Sequence, residues 1–241
     1  MVQKKAEYGS GPLFKAAGVV YGVVMGDALL VLANVLLVLS PVLMSVANVG
    51  GAAGSVAGIV LVLVAFALLG PSLTAAMYAF NRLLLGHETG VSLDFLRGYR
   101  ENFRPALAVW LPYLVLLAVV VFNLALLPAT IDPGNPAGSA VRIGLLVLGL
   151  MVCTAGVTAL LLLSRFTFRT RDLLRISLFC LGAQKRVSVG NAGILFVTAF
   201  LLTVTSVFLI LFIAGPMVYL ICLNSRPLLR VVEEKFTVTV G

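Results

Sequence analysis

Long apolar runs separated by short polar breaks dominate the chain. Runs at residues 18–44, 56–85, 106–127, 141–164 and 191–223 each reach the roughly 20 residues that cross a hydrocarbon core. The pattern predicts an all-α, polytopic transmembrane helix bundle of about five spans. It divides the chain into an N-terminal segment over 1–17, a single transmembrane domain over 18–223 and a tail over 224–241. The connector over 45–55, SVANVGGAAGS, is uncharged and built of small residues, which suits a short turn outside the bilayer or a loop tucked into it. Residues 42–69 can therefore form a full span or a re-entrant arm.

Two runs contain a Gly-Pro pair, Gly70-Pro71 and Gly215-Pro216. Proline has no N–H to donate and crowds the preceding turn, so a kink is expected at each pair. Thirty residues from 56 to 85, at about 1.5 Å each, overshoot a core of roughly 30 Å. That run must tilt, bend, or split at Pro71.

The polar breaks have a pattern of their own. After residue 85 comes GHETGVS, a glycine-flanked loop, with Ser92 as the expected N-cap and Asp94 in the first helical turn. On a helical projection Phe95, Leu96, Tyr99 and Phe103 gather on one side, and Asp94, Arg97, Glu101 and Arg104 on the other. This predicts an amphipathic interfacial helix over 92–104, ahead of a third span that starts at Pro105. Trp110 and Tyr113, near the start of that span, fit an aromatic belt. The loop over 128–140 reads as an ordered turn, and 165–186 as a basic, partly buried helix.

Composition sharpens the class. The chain is 61% hydrophobic and 11% charged, against roughly 45–50% and roughly 25% in a soluble domain, and its mean hydropathy is +1.13. The net charge of +8 sits between spans, as expected of a polytopic protein, and not on a solvated basic surface, so nucleic acid is excluded as a partner. Lys4, Lys5 and Lys15 followed by an apolar run resemble a signal peptide, but that run exceeds an h-region of about 7–15 residues. An uncleaved first span is expected. With five spans, the N-terminus, residues 82–104 and residues 165–186 share one side and hold most of the Lys and Arg, which predicts that side to be cytoplasmic. Arg226, Arg230 and Lys235 would then lie on the other side, unless an extra half-span changes the count.

Few residues offer chemistry. Asp27 lies inside the first run, where a carboxylate costs about 2.5–3.5 kcal/mol on insertion scales. It can serve proton coupling or solute binding, pair with Arg82 or Arg165, or make a structural hydrogen bond. Asn34 lies about two helical turns further on the same face, and Asn34 and Asn123 can line a polar cavity with Asp27 or act as packing hydrogen bonds. Arg97, Arg100 and Arg104, with Arg82, Asn102 and Phe103, form a candidate contact face for a cytoplasmic partner or anionic headgroups, or plain positive-inside anchors. His87-Glu88 is not a zinc-peptidase motif, because the chain has one histidine. Cys153, Cys180 and Cys222 stand apart in apolar surroundings and read as packing thiols. No pattern calls for a metal or a cofactor, and no cluster of acids, bases and nucleophiles suggests an enzyme.

One stretch resembles a known family. Gly70-Pro71-Ser72-Leu73-Thr74-Ala75-Ala76-Met77-Tyr78, then Arg82, Gly86-His87-Glu88, and Phe95 with Arg100-Glu101-Asn102-Phe103, look like the signature of the YesL-like (DUF624) bacterial membrane proteins. Asn34-Val35-Leu36-Leu37 followed by Pro41 is similar to the first-span pattern of that family. The resemblance covers about residues 12–110. It implies a multi-pass protein of the bacterial plasma membrane, N-terminus inside, accessory or regulatory to a carbohydrate uptake system of the ABC type. The partners to consider are then the lipid bilayer, ABC sugar permease subunits and a second copy of the chain. The alternative is a small stand-alone transporter or flippase with a polar cavity around Asp27 and Asn34.

Overall fold

The computed structural model describes residues 12–49, 51–86, 90–130 and 136–236, and within them every element is helical. Helices α1 (Pro12–Ala33) and α2 (Val35–Val49) follow one another with a break at Asn34. Together they run antiparallel along α3 (Gly51–Leu84): Gly22 meets Leu83, Gly26 meets Phe80 and Asn34 meets Ser72. The expected connector over 45–55 is thus almost wholly helical, because α2 continues to Val49 and α3 starts at Gly51. Ala47, Ala52 and Ala53 favour the helix, against a cost of about 1 kcal/mol each at Gly51 and Gly54.

Helix α4 (Val91–Thr130) returns alongside α3, and α5 (Pro136–Leu163) returns alongside α4. Close packing here is set by glycine. A methyl group on Gly70 would lie 2.6 Å from Trp110 Cβ, and one on Gly156 would lie 3.0 Å from Trp110 Cζ3, so the indole is held between α3 and α5. Its Nε1 donates to the Phe66 carbonyl at 2.9 Å. Trp110 and Tyr113 are 4% and 3% exposed; they are core residues and not the interfacial belt that their place in the run suggests. Tyr113 Oη lies 2.6 Å from the Ser177 hydroxyl and so ties α4 to α6 (Thr170–Ala183).

The amphipathic segment over 92–104 is not a separate interfacial helix. It is the first part of α4, which passes through Pro105 and Pro112 unbroken. The Gly90 carbonyl accepts the N–H groups of Leu93 and Asp94, so the helix starts one residue ahead of Ser92. Pro71 and Pro216 likewise lie inside helices that continue past them. Around Pro71 the Leu69 and Gly70 carbonyls take the hydroxyls of Ser72 and Thr74, each at 2.9 Å.

The largest departure lies in the last apolar run. Residues 191–223 do not form one helix: α7 (Lys185–Val204) ends at Thr205, a short 3-10 turn spans Val207–Leu209, and α8 (Ile210–Asn224) comes back beside α7. Thirty-three residues would make a helix of about 50 Å, too long for the core, and Thr203, Thr205 and Ser206 supply the turn. The first two cap the Phe200 and Leu201 carbonyls, and Ser206 Oγ accepts the N–H of Phe208. The end of α8 thereby reaches the start of α7, where Asn224 donates to the Val187 carbonyl at 3.0 Å and Asn191 donates to Ser225 Oγ at 3.0 Å.

After a bend of 46° at Ser225, α9 (Arg226–Phe236) buries Leu228, Leu229 and Val232 against the bundle. The tail expected beyond residue 224 is therefore helical up to Phe236. It also lies at the same end as Leu84, Arg165 and Lys185, since Arg226 donates to the Leu84 carbonyl and Arg165 pairs with Glu233. The discordant charges of the tail join the other arginines, and the opposite end keeps only Arg142 among the described charged residues.

The chain folds as an all-α polytopic bundle. Five helices are long and apolar enough to cross a bilayer, namely Ala16–Ala33, Val56–Leu84, Val91–Pro128, Pro136–Leu163 and Lys185–Val204. The bent pair of α8 and α9 is a sixth candidate, and an even count returns the tail to the side on which α1 begins. Residues 42–69 divide between α2 and the single helix α3.

Two outcomes check this architecture. In a background lacking the native cysteines, Arg142→Cys and Arg230→Cys, introduced separately, should react with a membrane-impermeant maleimide from opposite sides of sealed vesicles; labelling from one side would refute the α7–α8 return. Gly70→Val should overpack the Trp110 site and lower stability by about 1–3 kcal/mol, read as a lower unfolding midpoint in detergent.

Candidate functional site

The sequence-predicted residues fall into two groups, and the structure treats them differently. Asp27, on α1, is 9% exposed and accepts the backbone N–H of Gly215 on α8. The glycine is required by contact: a methyl group there would sit 2.5 Å from Asp27 Cβ and 2.8 Å from its Cα. Gly215 is thus the point of closest approach of two helices. A carboxylate oxygen and an unencumbered amide meet there.

Asn34 serves another pair of helices. Its amide donates to the Leu30 carbonyl at 2.8 Å and to Ser72 Oγ at 2.7 Å, at the break between α1 and α2. Asn123 is exposed on α4 and donates to the Val119 carbonyl of its own helix at 2.8 Å. The three polar residues do not converge. Each bonds a different partner, and Asp27 pairs with neither Arg82 nor Arg165.

The arginines do converge. Arg82 Nε lies 2.9 Å from Asp94 Oδ1, and the guanidinium stands 5.8 Å from the Tyr78 ring centroid. Asp94 is 3% exposed, because the first turn of α4 faces α3 and not water. This ion pair clamps the two helices beyond the loop that joins them. Arg82 is therefore bound within the fold, unlike the exposed Arg97, Arg100 and Arg104. Those three, at spacings of three and four, share one face of α4 with Glu101 close by. Asn102 donates to the Gly98 carbonyl at 3.1 Å, and Phe103 is half-buried against Tyr99, with ring centroids 5.5 Å apart. His87 and Glu88 lie outside the described residues.

The stretch that carries these residues matches known sequences. Residues 30–124 match the sequence model of a family described as Protein of unknown function, DUF624. This region is similar to DUF624. The DUF624 stretch runs from the last turn of α1 through most of α4, so it contains the Asn34–Ser72 bond, the Gly70–Trp110 contact and the Arg82–Asp94 pair. Comparison with curated proteins and with solved structures found no match.

Part of the arginine-rich end lies outside the DUF624 stretch and is not legible from the motif. Arg165, in the turn after α5, pairs with Glu233 of α9 at 2.9 Å, and Arg226 Nη2 donates to the Leu84 carbonyl at 2.8 Å. Asn81 reaches Ser164 Oγ at 3.1 Å. The signal for α9 is its apolar spacing, Leu228, Leu229 and Val232, with Arg226, Arg230, Glu233 and Glu234 between them. Cys153, Cys180 and Cys222 are free thiols, and burial pushes the Cys180 thiol above its ordinary value.

The Asp27–Gly215 contact can be tested by separating charge from acceptor. Asp27→Asn keeps an oxygen for the Gly215 N–H and should leave the unfolding midpoint near that of the wild type. Asp27→Leu removes the acceptor and should cost about 1–3 kcal/mol. Equal losses in both would show that the charge itself is what matters.

Proposed function

We propose that this chain is a non-enzymatic membrane protein of the bacterial plasma membrane whose arginine-rich end faces the cytoplasm and docks a permease subunit of an ABC-type carbohydrate uptake system, acting as its accessory or regulator. The observation that carries this reading is the outer face of α4. Arg97, Arg100 and Arg104 are exposed on a helix that continues into the bundle, and the ion pair of Arg82 with the buried Asp94 fixes the start of that helix. A charged face on a rigid support is suited to contact, and its three arginines call for an acidic segment on the partner. The distribution of charge supports the orientation, since cytoplasmic loops carry the excess of Lys and Arg. The carbohydrate assignment rests on the family resemblance.

A stand-alone transporter or flippase would need Asp27 and Asn34 to share a cavity. They bond different helices instead, so no observation favours that reading.

Affinity purification of the full chain in mild detergent from its native membrane should bring down an ABC-type sugar permease subunit. The triple substitution Arg97→Glu, Arg100→Glu and Arg104→Glu should abolish the association while leaving the unfolding midpoint within a few degrees. Failure to co-purify, with unchanged sugar uptake in a deletion strain, would refute the proposal.

A further inference from the structure

Away from the face of α4, a cavity of about 230 Å³ opens where the last turn of α3, the turn after α5 and the first two turns of α9 meet. Its polar lining is Asn81, Arg165, Arg226, Arg230 and Glu233. Three guanidinium groups thus face one carboxylate. The internal bonds do not use up the donors. Arg165 gives one nitrogen to Glu233, Arg226 gives one to the Leu84 carbonyl, and Arg230 makes no hydrogen bond or ion pair among the described residues. An arginine carries five N–H donors, so the cavity holds an excess of both positive charge and hydrogen-bond donors.

We propose that this cavity is a phosphate-ester site. Planar guanidinium groups match the oxygens of a phosphate with paired N–H donors, whereas a neutral solute would leave the charge of the lining uncompensated. The volume lies below the usual range of about 300–1,000 Å³ for pockets that enclose drug-sized ligands, which restricts the occupant to a headgroup-sized anion. The phosphate can be the phosphodiester of an anionic lipid, since basic pockets between helices at a membrane surface take such groups, or the phosphate of a small soluble compound. Either occupant would bridge the turn after α5 to α9 and fasten α9 beyond its bend. The site does not depend on the permease docking proposed above, because none of its residues lies on the outer face of α4.

The test has two arms, both using the full chain. In neutral maltoside micelles the unfolding midpoint is followed during titration with inorganic phosphate, against chloride at equal ionic strength. In nanodiscs of mixed phosphatidylcholine and phosphatidylglycerol, native mass spectrometry counts the phosphatidylglycerol retained on release. Arg230→Gln removes no bond among the described residues, so it tests the site with the least effect on the fold; it should weaken binding about 5-fold, and Arg165→Gln with Arg230→Gln about 25-fold. Arg142→Gln, at the opposite end, should change nothing. Retention of phosphatidylglycerol without a response to phosphate identifies the lipid as the source, and stabilisation by phosphate identifies the soluble anion. Indistinguishable behaviour of the wild type and Arg230→Gln in both arms would overturn the proposal.

Discussion

The indole of Trp110, pressed between Gly70 and Gly156 and bonded to the Phe66 carbonyl, sets the spacing of α3, α4 and α5. In a bilayer, helices gain little from hiding apolar surface from one another, because lipid is as apolar as leucine. Close packing and buried polar bonds must do the work instead. Glycine on both sides lets the ring touch backbone, and the ring nitrogen finds an acceptor in a helix that Pro71 perturbs a few residues later. Once those three helices are in register, Tyr78 packs over Gly98, Asp94 meets Arg82 and Tyr113 meets Ser177.

Polar bonds between residues far apart in sequence also tie helices to one another. Asp27 and Gly215 join α1 to α8, Asn34 and Ser72 join α1 to α3, Asn81 and Ser164 join α3 to the end of α5, and Asn191 and Ser225 join α7 to the end of α8. Such bonds average about 0.6 kcal/mol in membrane proteins, so each contributes orientation more than strength. The buried core collects toward the arginine-rich end. Toward the other end the helices present Phe122, Ile143 and Phe200 outward, a surface suited to lipid. The bundle is densest where its charged contacts are made.

Much of this is legible in the sequence, because hydropathy and charge report on the solvent. The long apolar runs, the concentration of arginines at one end and the motif from Gly70 to Phe103 all follow from residues that water or lipid must surround. What faces a neighbouring helix is not legible in the same way. Trp110 satisfies the rule for a belt aromatic and is buried all the same, and Asp27 gives no sign that its acceptor role is filled by the amide of a glycine 188 positions away. Residues 191–223 are apolar throughout, so hydropathy does not mark the turn; Thr203, Thr205 and Ser206 do, through hydroxyls that end a helix from its own carbonyls. The amphipathic spacing of α9 is visible once a helix is assumed, but eleven residues after the last apolar run do not demand one.

The hairpin of α7 and α8 has a consequence for how the protein enters a membrane. Its tip, Thr205 to Leu209, carries no charge, and its two arms bond to each other at the open end through Asn191, Asn224 and Ser225. Nothing strongly hydrated has to be dragged across the hydrocarbon for the tip to reach the far leaflet. The pair can therefore leave the translocon sideways as one unit, after α1 and α3 are already in place to receive it. The hairpin then closes on α1, with Asp27 taking the amide of Gly215.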